Sequence, residues 1–300
     1  MKHNSSDGMQ SSLVKLYSPA TKKDFLHVAR DYLSGWVYSR PLDDSLLNYW
    51  TTLARFQPEN IRIAYRGNEP KAAIHGEINS TGGIVHLMAT RPDGGEDAFA
   101  LLDQFERQVR AHGGTRMSGP HWASTPFYGG YVLGNEPLIP SWDTNGTCVL
   151  VRAGYRMEIR GVLMVRSLVA EIPHEPTPAG YEIVPEARPP EFDARPFGYH
   201  ALQNGQKVAH CFCRLYPHLS APTGGTIGQI GNVSTEADHR GHGLARVMVT
   251  LCLRDLREMG AAEAIVATSL DNFSALKSYG NAGFARRYNA NWWTKDLAGS

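Results

Sequence analysis

The sequence predicts an α/β (α+β) protein made of two tandem copies of one unit. Two observations carry that expectation. A strand–turn–helix passage occurs twice, and each occurrence is followed by the same short echo, Ser-x-Asp and then Ala-Gly-aromatic. A third supports it: 300 residues exceed the usual size of one domain and suit two.

The first passage spans residues 84–119 and the second residues 227–269. Each helix carries apolar residues at three-to-four spacing, Phe99, Leu102, Phe105 and Val109 in one, Leu244, Val247, Leu251, Leu253 and Leu256 in the other. Each should stop at a glycine, Gly113 or Gly260, the usual helix C-terminal signal. The echo reads Ser141-Trp142-Asp143 to Ala153-Gly154-Tyr155, and Ser269-Leu270-Asp271 to Ala282-Gly283-Phe284. Both lead into β-rich tails, residues 161–166 and 291–295. The join should lie in the proline-broken stretch 167–179, giving domains 13–168 and 169–300. After it, a hairpin is expected around Gln203-Asn204-Gly205-Gln206.

Composition excludes several classes. The net charge is +1 and no Lys/Arg-rich run occurs, which argues against nucleic acid or an anionic membrane as partner. The four cysteines, Cys148, Cys211, Cys213 and Cys252, form no CxxC pair, so no metal is expected. No apolar run reaches membrane-spanning length, and the chain is expected to be cytoplasmic.

The chemistry concentrates in residues 233–245. A strand ends near Thr235, a loop brings Arg240, Gly241 and Gly243, and a helix begins. Glycines let backbone amides approach a ligand, and a helix N-terminus adds unpaired donors and partial positive charge. Arg240 offers a bidentate contact. Such a loop suits phosphate, although an ordinary strand-to-helix turn has the same outline.

A second motif follows about 30 residues on: Asn272, Ala275, Tyr279, Gly283 and Phe284 stand at the spacing N-x-x-A-x-x-x-Y-x-x-x-G-F. With the Arg240-Gly241-His242-Gly243-Leu244-Ala245 loop, this closely resembles the GNAT superfamily of acyl-CoA N-acyltransferases over residues 181–297, and much more faintly over 13–168. One departure is Asp238, where the family usually has Gln or Arg. The resemblance implies a mixed, mostly antiparallel central sheet flanked by helices in each unit. It also implies acetyl-CoA as acyl donor, with no metal. The backbone of Val233, Ser234 and Thr235 would pair with the pantetheine arm, and Arg240, Gly241, His242, Gly243, Leu244 and Ala245 would hold the pyrophosphate. Asn272 would contact the pantetheine region or cap its helix. Tyr279 would protonate the leaving thiolate. Glu236 is the first candidate for the base, with His210 and His200 as alternatives.

The first copy is expected to lack this chemistry. Aligned on the helix ends, Asp93-Gly94-Gly95-Glu96 falls opposite Arg240-Gly241-His242-Gly243; aligned on the Gly-aromatic pairs, Leu150 falls opposite Tyr279. Carboxylates would repel a pyrophosphate. Only residues 185–195 separate the first strands of the second unit, against a generous 20–60 in the first. The first unit is therefore expected to help wall the acceptor site, with Trp122, Phe127, Tyr128, Tyr131 and Trp142 lining a groove and Asp143, Glu136 and Glu77 as possible acidic contributors. The tandem layout is similar to mycothiol-synthase-type and antibiotic self-resistance acetyltransferases. The expected function is acetyl transfer to a primary amine of a small molecule by a monomer or homodimer. The alternatives are a protein or peptide N-acetyltransferase and a non-catalytic CoA-binding regulator.

Overall fold

The computed structural model describes residues 12–120, 127–128, 139–140, 142–189 and 194–298. The first unit runs β1 (Leu13–Leu16), α1 (Lys22–Leu33), α2 (Asp44–Trp50), β2 (Ile61–Arg66), β3 (Glu69–Ile78), β4 (Gly82–Thr90), α3 (Gly95–Ala111), β5 (Arg116–Ser118), β6 (Ile139–Pro140), α4 (Thr144–Arg152) and β7 (Arg156–Ser167). The second runs β8 (Glu182–Ala187), β9 (Arg195–Gln203), β10 (Gln206–Ser220), β11 (Thr226–Thr235), α5 (Leu244–Glu258), β12 (Ala261–Ser269), α6 (Phe273–Asn281) and β13 (Ala285–Asp296). Two copies of one unit are present, as the repeat implied. In both, four antiparallel strands lead to a parallel partner, β5 beside β4 and β12 beside β11.

Helix α3 buries Leu101, Leu102, Phe105 and Val109. Helix α5 buries Leu244, Met248, Cys252 and Leu256, spaced by four, together with Val247, Val249 and Leu253. Leu251 was expected in that stripe but is only half-buried. The hairpin turn holds Asn204 at φ 52° and Gly205 at φ 77°, the left-handed pair that a two-residue turn between twisted strands requires.

The units do not keep their sheets apart. Among the described residues the strands form one 13-stranded sheet. Strand β7 leaves the first unit and pairs with β12 of the second, from Ser167 opposite Glu263 to Gly161 opposite Ser269. Strand β13 leaves the second unit and pairs with β5 of the first, Thr294 opposite Ser118. The two exchanged strands pair with each other from Val165–Ala285 to Arg156–Thr294. Packing follows the hydrogen bonds. Val162 and Met164 of β7 sit in the core under α5, and Trp293 and Leu297 sit in the core under α3. Each such apolar side chain contributes on the order of 1.5–3 kcal/mol.

Further ties cross the join. The Tyr38 hydroxyl, in the stretch between α1 and α2, donates to Glu263 on β12 at 3.0 Å, and Thr223 donates to the other oxygen of that buried carboxylate at 2.9 Å. Arg166 on β7 donates to the Ala282 carbonyl at the end of α6. No described helix is long and apolar enough to cross a membrane.

Residues 169–300 expressed alone lack β7, so β12 and β13 each lose a partner. The fragment should be insoluble or show no cooperative melt by circular dichroism, and coexpression with 1–168 should restore one. A soluble fragment with a cooperative transition like the full chain's would contradict the exchange.

Candidate functional site

In the second unit, β11 and β12 pair in parallel only as far as Ile230–Val266. Both strands then continue, to Thr235 and Ser269, and β12 stays paired with β7 throughout. The far end of β11 is thereby left without a neighbour on that side. A cleft of about 550 Å³ opens there, lined by β11, the following loop, the first turn of α5, and α6.

The loop itself runs from 236 to 243. Gly241 at φ 83° and Gly243 at φ 82° are left-handed, and a Cβ at either would meet nothing within 4 Å. Glycine is therefore needed here for its backbone conformation rather than for space. The first helical bond runs from the Val247 amide to the Gly243 carbonyl, 3.1 Å. The amides of the first turn before it have no intrahelical acceptor, and with the helix dipole they form an anion site. Arg240 Nε donates to the Thr235 carbonyl at 3.1 Å, fastening the loop to the strand end. Tyr181 on the opposite side meets His239 Nδ1 at 3.1 Å.

Val233, Ser234, Thr235, Arg240, Gly241, Gly243, Leu244, Ala245, Asn272 and Tyr279 all line this cleft. His242 is exposed, and its Nδ1 lies 3.1 Å from the Arg240 carbonyl and 3.2 Å from that of His239, so its ring folds back on the loop. Glu236 is exposed at the start of a short 3-10 turn and does not reach the cleft wall. Asn272 does both things considered for it: its side chain caps α6 by accepting from the Ala275 amide at 3.1 Å, and it lines the cleft. Tyr279, two turns past Asn272, is buried and edge-on to Phe284 at 5.9 Å. Ser274 and Ser278 also line the cleft and were not singled out from sequence. They lie four residues apart, on the helical face shared by Ala275 and Tyr279, which is the signal that marks them.

The first unit has the same frame with different contents. The caps of α4 and α6 match bond for bond. Asp143 accepts from Gly146 as Asn272 does from Ala275. The Tyr155 amide donates to Leu150 at 2.9 Å as Phe284 does to Tyr279 at 3.0 Å. Leu150 thus holds the place of Tyr279. Only residues 91–94 connect β4 to α3, half the length of the 236–243 loop. A Cβ on Gly94 would come within 2.3 Å of the Lys71 carbonyl. The helix N-terminus already holds its own anion, buried Asp97, bonded to Arg66 at 2.6 Å and to Ser12 at 2.5 Å. Asp93 pairs with Lys71 at 2.7 Å, which holds its carboxyl below the usual range. Past Ser118 the gap between strands is crossed by backbone: the Gly119 amide donates to Trp293 at 3.0 Å, and a Cβ there would lie 2.4 Å from the Val85 carbonyl.

The groove expected from residues 119–143 takes another form. Phe127 and Tyr128 are buried in the first unit's core against Trp50 and His75, because apolar rings beside α2 gain more from burial than from solvent. Trp142 packs on Trp36 at 5.7 Å and, with Asp143, lines a separate pocket of about 370 Å³ on the first unit. Trp122, Tyr131 and Glu136 lie outside the described residues. Glu77 is engaged by Arg55 and His86, and Asp143 by Tyr32. The first unit does reach the second at Tyr38, on the sheet face turned away from α5.

Residues 164–284 match the acetyltransferase (GNAT) family model. A mycothiol acetyltransferase from Cellulomonas flavigena is 34% identical over 89 residues, 29% of this chain and 26% of that protein. N-alpha-acetyltransferase 30 from Saccharomyces cerevisiae is 30% identical over 74 residues, 25% of this chain and 40% of that one. The chain thus spans less than half the length of either relative. Among solved structures, a tandem GNAT protein from the clavulanic acid biosynthesis pathway superposes with a TM-score of 0.67 at 15% identity, covering 97% of this chain and 100% of its own.

Valine at Gly243 forces a β-branched residue into a left-handed conformation, a strain of roughly 1–3 kcal/mol. Isothermal titration of Gly243→Val with coenzyme A should show affinity about tenfold weaker, with a single cooperative melt lowered by roughly a few degrees. Unchanged affinity would remove the loop from ligand binding.

Proposed function

We propose that the chain, whose residues 164–284 match the acetyltransferase (GNAT) family model, transfers acetyl from acetyl-CoA to a primary amine of a small molecule. The observation that carries this reading is the continuity of one cleft, from the amides around Gly241 and Gly243 to the Tyr279 ring. Its shape fits the donor. The loop and first turn of α5 would take the pyrophosphate, and the unpaired end of β11 would accept the amide-bearing arm as an added strand. The donor supplies a thioester whose acyl carbon an amine attacks.

The residues then divide the work. The loop amides and Arg240 offset phosphate charge. Val233 to Thr235 align the arm so that its sulfur end faces α6. Tyr279 donates its phenolic proton to the departing sulfur, which general acid catalysis makes worth about 10²–10⁴-fold. Glu236, facing solvent, would have to act on the amine through water. The first unit contributes strand β7 and Tyr38 but holds no donor, since its own Asp97 occupies the corresponding helix end. Amine-bearing antibiotics fall within the proposed acceptor class. The similarity to N-alpha-acetyltransferase 30 makes a peptide α-amine the competing acceptor, and the absence of any turnover beside tight binding would mark a regulator.

Thiol release from acetyl-CoA with glucosamine, an aminoglycoside, spermidine and a short peptide separates these readings. Transfer to a small amine is expected. Tyr279→Phe should then lower kcat about 10²-fold while leaving KM for acetyl-CoA and the melting temperature near the parent values. Transfer confined to the peptide, or none at all, would contradict the proposal.

A further inference from the structure

In the second unit, the sheet face turned away from α5 carries His210 and His200, the alternatives to exposed Glu236 as the base. His210 on β10 stands directly opposite Ser234 on β11 and directly opposite His200 on β9. His200 Nε2 lies 2.5 Å from the Glu186 carboxylate on β8. Directly opposed residues of antiparallel strands share a face, with Cβ atoms about 4.5–5.5 Å apart. One row therefore crosses three strands, Ser234, His210 and His200, and the Glu186 carboxylate, two residues along β8 from Val184 opposite His200, extends it to a fourth. Its inner end is a residue of the cleft wall.

The row is held in place. The His210 ring stacks on Phe212, centroids 5.1 Å apart and planes at 28°. His200 meets the same ring edge-on at 5.9 Å. The Arg188 guanidinium covers that ring at 3.5 Å, with Lys207 at 5.4 Å. A register shift beside His210 places one extra residue in β11, at the point where that strand enters the cleft.

The first unit supplies a contrast. His75 holds the position of His210, opposite Leu87 and beside the same kind of shift. It is 1% exposed, sealed under Trp50 and Phe127 at 4.8 and 4.7 Å and bound to Tyr128 at 2.9 Å. Among the described residues His210 has no such cover, and it is half-buried. The copy with the phosphate loop keeps this histidine within reach, and the copy without the loop has closed it off.

Granting the acyl-transfer reading, we propose that His210 is the base that accepts the attacking amine's proton, and that His200 and Glu186 pass it toward solvent. An ammonium acceptor loses two protons in becoming an amide. One goes through His210, leaving the electron pair on nitrogen to form the N–C bond. The other restores the Tyr279 phenol after the C–S bond breaks and the sulfur takes the phenolic proton. Burial, and then Lys207, His200 and Arg188, hold the His210 imidazole below the usual histidine range, with Glu186 opposing them. From β11 it faces uncharged Ser234. A neutral imidazole at pH 7 is the form that accepts a proton.

The test takes the intact chain and the amine that turns over best in the acceptor panel. His210→Gln should lower kcat about 10²-fold, leave KM for acetyl-CoA unchanged, and remove the acid-side limb of the kcat/KM profile. A weakly basic aryl amine, already unprotonated at neutral pH, should recover most of the loss. His200→Gln should move the limb's midpoint with a smaller fall. Independently of turnover, proton NMR should show the His210 ring titrating below an ordinary histidine and shifting when acetyl-CoA is added. Parent-like kcat and pH profile in His210→Gln, or a His210 signal unmoved by saturating acetyl-CoA, would overturn the proposal. If no amine is acetylated by the parent chain, the acyl-transfer reading fails instead, and the NMR signal alone decides whether His210 faces the thioester.

Discussion

The structure depends on one pairing, that of β7 with β13 at the middle of the sheet. Each strand belongs by sequence to one unit and by hydrogen bonding to the other as well. A strand interior needs partners on both edges, because an unpaired buried amide or carbonyl costs about as much as a lost hydrogen bond. Neither unit can close its sheet without the other's last strand. The exchange also positions chemistry. Arg166 on β7 reaches the Ala282 carbonyl, at the C-terminal end of the helix that carries Tyr279. Burial lowers its guanidinium from the usual value, yet a cation at the carbonyl end of a helix complements the dipole. The first unit thus holds the helix that carries the second unit's tyrosine.

The two copies keep matching caps and differ at the helix N-terminus. The hydrogen bonds at both ends of α4 and α6 are the same, and both parallel pairs sit at equivalent places. The difference lies in the connection ahead of the main helix. A longer loop with two left-handed glycines leaves the helix end open. A shorter one draws the strand close and brings in Asp97, already neutralised by Arg66. A helix N-terminus attracts negative charge whatever its source; in the first unit the protein supplies that charge itself.

Much of this is legible in the sequence, for identifiable reasons. The duplicated passages and the Gly-aromatic endings are local patterns, so the repeat, the helix limits and the Leu150–Tyr279 correspondence could be read directly. The loop Arg240 to Ala245 was readable because glycine spacing reports backbone conformation. The strand exchange was not, since nothing local in β7 or β13 names their partners. The inward turn of Phe127 and Tyr128 was hidden for the same reason: aromatic content does not tell a groove from a core. Ser274 and Ser278 were missed because small polar residues on a helix carry no signal until the face they share with Tyr279 is known.

Two folded copies with one open helix end predict one donor site per chain. The most direct measurement is the stoichiometry of coenzyme A binding to the intact chain by isothermal titration calorimetry. One equivalent per chain, weakened by Gly243→Val and untouched by Leu150→Ala, is the predicted result. Two equivalents, or one that survives disruption of the Gly243 loop unchanged, would contradict it.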